Sequence, residues 1–497
     1  MINWIGASIL VVVFIGCMHL IRLVPLAKQV FGLARRASDI LSDSDLDDLG
    51  KEKQLQSLAL TLFGKFLLIL LGSGVCLALP VLCVWGLEWF GFLRLDNVLK
   101  LTLSWPFIVL TTLLFGLIWG LGRRGQANGI KDQVKDQAFE NRYNMLDQTL
   151  HKLAFSMVPT QVALAGLEDR LFRQRIVSGD QVERPVFITA LPRAGTTLLL
   201  DLLYETGEFA THTYRHMPFL LIPLFWRQLS QHFKHDDQPR ERAHGDGMLV
   251  SVDSPEAFEE IIWKAFWKKH YGPDRISPWA GKKNSTDFDT FYRAHIRKII
   301  TIDQQASEFP KRYISKNNLN IARILYLKNL FPQATIIVPV RHPLKHVNSL
   351  LRQHQNFLSI HAQDLFAQRY MRDIGHFDFG RNIRPVNFGH WLEQNSDLKP
   401  EQLDFWLNYW YQAYTFLLSK RESLVFFDYD HFCENSRDGA VYLGQTAGVR
   451  NIAKLQQLAQ RVAVKERPIL ANSGPDSPIF QSCLALYRDL QAHSVNH

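Results

Sequence analysis

Apolar positions are spread unevenly along this chain. Three long runs, Ile5–Ile21, Phe66–Gly86 and Leu101–Leu121, fall within the first 121 residues. Beyond residue 180, short apolar runs alternate with amphipathic stretches. A helix of about 20 apolar residues is ~30 Å long, the thickness of a bilayer core. The second and third runs meet that length, though Pro80 and Pro106 favour kinks in them. The first is shorter and carries His19, and Met1-Ile2-Asn3-Trp4 lacks the basic residues of a signal peptide. The expectation is two to three transmembrane helices over residues 5–21, 66–86 and 101–121.

The remainder reads as α/β. β-Branched apolar runs at 185–191, 312–316, 334–340 and 424–430 alternate with helical stretches at 198–206, 319–331, 343–354 and 401–420. Such alternation predicts a parallel sheet flanked by helices, with ligands beyond the C-terminal ends of its strands. The polar segment Ala37–Lys53 reads as a solvated loop, Gly122–Gly129 as an exit linker and Ala138–Arg175 as a helical neck. The resulting division is a membrane region (1–121), a linker and neck (122–180) and a globular domain (181–497).

Charge sets the expected orientation. Arg22, Lys28, Arg35, Arg36, Lys51, Lys53 and Lys65 stand between the first two runs, and Arg123, Arg124, Lys131, Lys135 and Arg142 follow the third. The turn between the second and third has only Arg94 and Lys100. Positive residues stay on the cytoplasmic side. A multi-pass protein of the inner membrane follows, its globular domain in the cytoplasm. Cys17, Cys76 and Cys83 lie in the first 121 residues, leaving Cys433 and Cys483 elsewhere, too sparse for a disulfide framework. The net charge of +9 suits an anionic ligand or the anionic face of a bilayer. Its basic residues are dispersed and no nucleic-acid-binding pattern appears, so nucleic acid is not an expected partner.

The chemistry concentrates at Pro192-Arg193-Ala194-Gly195-Thr196-Thr197, between an apolar strand and an apolar helix. A Gly-containing turn into a helix N-terminus presents backbone N–H groups and partial positive charge to an anion. It is not a Walker A loop, because no Gly-Lys pair is present. The hexapeptide resembles the 5′-phosphosulfate loop of the sulfotransferase family, written PRSGTT or PKSGTT, with Ala194 in place of Ser. Ala190 stands where many members have Gly. The resemblance implies 3′-phosphoadenosine 5′-phosphosulfate as co-substrate, bound through Arg193, Ala194, Gly195, Thr196 and Thr197. It also implies a P-loop-like sulfotransferase fold. Arg341, at the end of the run Ala334–Val340, and Ser349 eight residues on resemble the family's 3′-phosphate site. Arg supplies a planar fork of donors suited to phosphate. Lys316 closes the run Arg312–Lys316, where the family often has a Lys reaching the transferring group. Asn318 stands where the soluble branch has a His base, so the base must come from elsewhere.

The candidates for that base are His216, His244 and Glu256, with His212 nearby; imidazole titrates near neutrality and needs little tuning. The tract His232, His235, Asp236, Asp237, His244 and Asp246 has no metal-ligand spacing, and no metal is expected. The reading is sulfuryl transfer to an acceptor hydroxyl of a lipid, glycan or small alcohol at the cytoplasmic membrane face. The alternatives are a P-loop kinase or NTPase, for which Leu424–Asp428 would be a Walker B strand, and a non-catalytic membrane scaffold. The acceptor and the oligomeric state have no signature in the sequence.

Overall fold

A computed structural model describes residues 2–21, 48–89 and 94–102 with a few neighbouring positions, and 145–495 apart from 178, 231–239, 242–248, 251–252, 280–284, 305–309 and 463–476. The chain divides into two compact units, Met1–Lys135 and Asp136–His497.

In the first unit, helix Ile2–Leu20 packs along helix Asp48–Trp89 through Ala7, Leu10 and Val84, and through Cys17 against Cys76. The longer helix is continuous through Pro80. Its portion Thr61–Trp89, of mean hydropathy 2.6, is long and apolar enough to cross a membrane. Leu68, Leu71 and Leu77 point outward from it, as lipid-facing residues do. It is the single candidate span among the described residues. The apolar stretch Gly6–Met18 is shorter, and residues 108–121 of the third run lie outside the described residues.

The second unit is built on five parallel strands: β1 (Val186–Ile188), β2 (Phe209–Ala210), β5 (Arg312–Lys316), β6 (Thr335–Val340) and β7 (Val425–Asp428), in the order β2-β5-β1-β6-β7. A separate antiparallel pair is formed by β3 (Arg240–Glu241) and β4 (Leu249–Val250). Both faces of the large sheet are buried, which is why its strands read as unbroken apolar runs. Phe187, Tyr313, Ile336, Val338 and Phe426 enter one core. Their neighbours Val186, Ile188, Ile314, Ile337 and Phe427 enter the other. Proline inside a central strand normally forfeits a ladder bond. Pro339 escapes because Thr335 and Ile337 face β1, and β1 ends opposite Ile337. Two residues on, that side has no strand left to pair.

The register fixes where chemistry can occur. Ile188, the last residue of β1, lies opposite Lys316, the last of β5, and opposite Ile337 in β6. The loop after β1, Lys316 and Arg341 therefore leave the sheet at the same edge. One expected helix differs: 319–331 is a 3₁₀ turn, Asn318–Ala322, then helix Ile324–Leu330, broken at Arg323. The Arg323 guanidinium is fully buried, paired with Glu260 and bonded to Asn320, and its backbone leaves helical geometry to reach them.

Candidate active site

The loop between β1 and helix Thr196–Glu205 turns through two left-handed residues, Arg193 (φ 71°) and Gly195 (φ 102°). Gly195 is required twice over. Its φ disfavours a side chain, and a Cβ there would stand 2.2 Å from the ring of Tyr429. The loop is held from the β6 side. Arg341 Nη1 donates to the Arg193 carbonyl at 3.0 Å, and His346 Nε2 lies 2.8 Å from the Pro192 carbonyl. Trp410 Nε1 donates to His346 Nδ1 at 3.2 Å, so the proton of a neutral His346 sits on Nε2 and points at the loop. Burial lowers the His346 pKa to about 3, with Arg341 adding to the shift, so the ring stays neutral. Arg193 Nε in turn donates to Ser349 Oγ at 3.4 Å.

Three residues named from separate stretches of sequence are thus linked, Arg341 and Ser349 each contacting Arg193. Ala194 and Thr196 are buried beneath the turn, and Gly195 and Thr197 are partly exposed on it. Arg341 Nε is buried with no hydrogen-bond partner among the described residues, and its guanidinium lies over the Tyr429 ring at 5.6 Å. A buried donor left unsatisfied beside an N–H-lined turn is the arrangement an oxyanion would complete.

Lys316, the last residue of β5, is met by Glu256. Lys316 is 8% exposed, and its Nζ lies 3.8 Å from Glu256 Oε1. Glu256 accepts the Tyr214 hydroxyl at 3.0 Å and the Ala257 N–H at 2.8 Å. Its own N–H donates to the His212 carbonyl, which ties it to the 210–217 segment. His216, the favoured base from sequence, is engaged differently. Its Nδ1 accepts the Thr213 N–H at 3.0 Å within its own turn, and burial lowers its pKa to about 3. His212 is buried too, its Nε2 2.9 Å from His295 Nε2, with its pKa also lowered to about 3 by desolvation. Both rings are held by partners within the fold. His244 and the rest of the His/Asp tract, from His232 to Asp246, lie outside the described residues. Among the described candidates, Glu256 alone stands against Lys316.

The structure adds a cluster that sequence reading missed. Asn318 accepts the Thr196 hydroxyl at 3.5 Å through Oδ1 and donates to Asp378 Oδ2 at 3.1 Å through Nδ2. His376 Nε2 lies 3.7 Å from the same carboxylate. Asn318 therefore orients a loop hydroxyl and is itself oriented by Asp378. Its pairing spans 60 residues, and no local signal announces that. An apolar cavity of about 270 Å³, lined by Trp279, Ile324, Phe388 and Phe416 among others, contains none of these residues.

Asp428 is fully buried at the end of β7. It caps the next helix by accepting the His431 N–H at 3.0 Å and takes the Gln491 amide at 2.8 Å. A Walker B aspartate needs oxygens available to Mg²⁺; these are committed to the fold.

Comparison with curated proteins gives no match. Two solved structures are similar at 14% identity. Sulfotransferase STF9 from Mycobacterium avium has a TM-score of 0.39, covering 65% of this chain and 80% of that one. Sulfotransferase STF1 from Mycobacterium tuberculosis has a TM-score of 0.34, covering 68% and 81%. Residues 185–379, from β1 through the Asp378 loop, match the sequence model of the Sulfotransferase family. The segment that holds the anion loop, Lys316, Arg341 and Ser349 is therefore similar in sequence to the sulfotransferase family.

Proposed function

We propose that this protein transfers a sulfuryl group from 3′-phosphoadenosine 5′-phosphosulfate to an acceptor hydroxyl at the cytoplasmic face of the inner membrane. The observation that carries the reading is the Arg341–Arg193–Ser349 contact set around an N–H-lined turn, with one Arg341 donor buried and unpaired.

In this proposal the backbone of 192–197 and the Arg193 guanidinium bind the 5′-phosphosulfate, and Arg341 with Ser349 binds the 3′-phosphate. Glu256 removes the acceptor proton as the acceptor oxygen bonds to sulfur. The bond from sulfur to the bridging oxygen breaks, and adenosine 3′,5′-bisphosphate leaves. Lys316 neutralises charge growing on the bridging oxygen; fixed donors aimed at developing charge commonly supply ~3–4 kcal/mol each. Lys316 Nζ lies 3.8 Å from Glu256 Oε1, which sets the proposed base beside the proposed charge-neutralising group. No metal ion is needed for this scheme, since the charge is carried by arginine and lysine.

The span Thr61–Trp89 supports membrane attachment, and a lipid or lipid-linked glycan hydroxyl fits an enzyme held there. Incubating the membrane-embedded chain with sulfur-labelled donor tests the proposal. Label should pass to a lipid, glycan or alcohol fraction without added Mg²⁺. No transfer to any fraction, with the donor site intact, would instead support the non-catalytic scaffold.

A further inference from the structure

Helix Val158–Leu171 is built inside out. Its buried positions are Gln161, Ala165 and Glu168, whereas Leu164, Leu167 and Leu171 are 37%, 45% and 65% exposed. Water-facing helices do the reverse. The buried acid is held inside: Glu168 pairs with buried Lys298 at 3.0 Å and accepts the Phe225 N–H at 2.7 Å. The three leucines, at i, i+3 and i+7, make one stripe about a quarter-turn from the buried one.

Neighbouring elements extend that stripe. Leu153 and Met157 are exposed just before it, and five of the ten exposed large apolar side chains among the described residues of 136–497 fall between 153 and 171. Leu229 joins from helix Pro223–Ser230, whose Phe225 ring meets Phe172 at 5.6 Å. Charge is arranged to match. Lys152, Arg170, Arg173 and Arg175 are exposed, and none enters an ion pair among the described residues. Both acids of the helix, Glu168 and Asp169, turn to Lys298 instead.

We propose that this face rests on an anionic phospholipid surface, its leucines at the acyl boundary and its cations against headgroup phosphates. The inference deepens the membrane-attached reading above and rests on it. A second copy of the chain fits the face poorly, because a two-fold contact would set the same unpaired cations against themselves.

The test uses the full chain in phosphatidylglycerol vesicles containing an acyl-diazirine phospholipid, with photoadducts mapped by mass spectrometry. Adducts are expected on 153–171 as well as on 61–89. Leu164→Glu with Leu167→Glu should cut the 153–171 yield by about tenfold while leaving 61–89 unchanged. Phosphatidylcholine vesicles should lower the yield at 153–171 selectively. Adducts on 61–89 with none on 153–171 would overturn the docking face alone. Adducts on neither would overturn it together with membrane attachment. Chain-to-chain crosslinks centred on Leu164 or Leu167 would overturn it in favour of self-association. Equal yields in the two lipids would overturn the headgroup contact.

Discussion

Arg193 occupies left-handed backbone space, where a residue bearing a Cβ loses about 1–2 kcal/mol. The strain is held by Arg341 on its carbonyl and Ser349 on its side chain, and strained residues so clamped tend to sit where chemistry occurs. Arg193→Ala should lower sulfate-transfer turnover by ~10²–10³-fold. Turnover at the wild-type rate would remove Arg193 from the reaction. Glu256→Gln should lower kcat by ~10²–10⁴-fold with adenosine 3′,5′-bisphosphate binding unchanged. His216→Gln should instead lower the melting temperature, because it breaks a turn; a kcat loss with stability intact would make His216 the base after all. The contrast marks what was legible. Arg193, Arg341 and Ser349 could be named because each sits in a short local pattern with a physical task. The engagement of His216 with its own turn, the His346 brace and the Asn318–Asp378 pair could not, since each depends on which residues the fold buries or brings together.

At the scale of elements, the phosphate turn depends on the approach of helix Tyr429–Glu434, whose first residue covers Gly195. Gly195→Ala should abolish bisphosphate binding, because it adds both a disfavoured φ and a clash with the Tyr429 ring. Binding retained in isothermal titration would show that the turn is not the anion site. The double variant Gly195→Ala with Tyr429→Ala relieves the clash and separates the two causes. Strands β5, β6 and β7 and the helix after β6 were visible in the sequence, since two buried faces leave continuous apolar runs. Strand β2 was not: two residues at a sheet edge carry no periodicity. Helix Thr286–Gln304 was also unread, although it supplies His295 and Lys298 to the interior. The break at Arg323 went unseen because a buried guanidinium, not a proline or glycine, causes it.

Across the whole molecule, burial of histidine makes stability depend on pH. His212, His216 and His346 have pKa values lowered to about 3 by desolvation, and His295 is lowered well below its usual value. The unfolded chain binds protons at these positions near pH 6.5, and the folded chain does not until far lower. In that window the unfolded state holds more protons, so acidification destabilises the fold. Each such histidine contributes up to ~1.4 kcal/mol per pH unit. Asp303, raised to about 6 by burial, and Glu168, which burial also shifts upward, act in the opposite sense but are fewer. The melting temperature of the purified chain should therefore fall steadily from pH 7 to pH 5; a flat profile would contradict the neutral buried histidines. The central proposal is a nucleotide held at both ends beyond the C-terminal edge of the sheet. Titrating the full chain with adenosine 3′,5′-bisphosphate in the absence of Mg²⁺ tests that directly. Saturable binding is expected, weakened about tenfold or more by Arg341→Ala, one charge-assisted phosphate contact being worth ~1.5–3 kcal/mol. Binding of Mg²⁺–ATP in place of the bisphosphate, or bisphosphate affinity indifferent to Arg341, would contradict it.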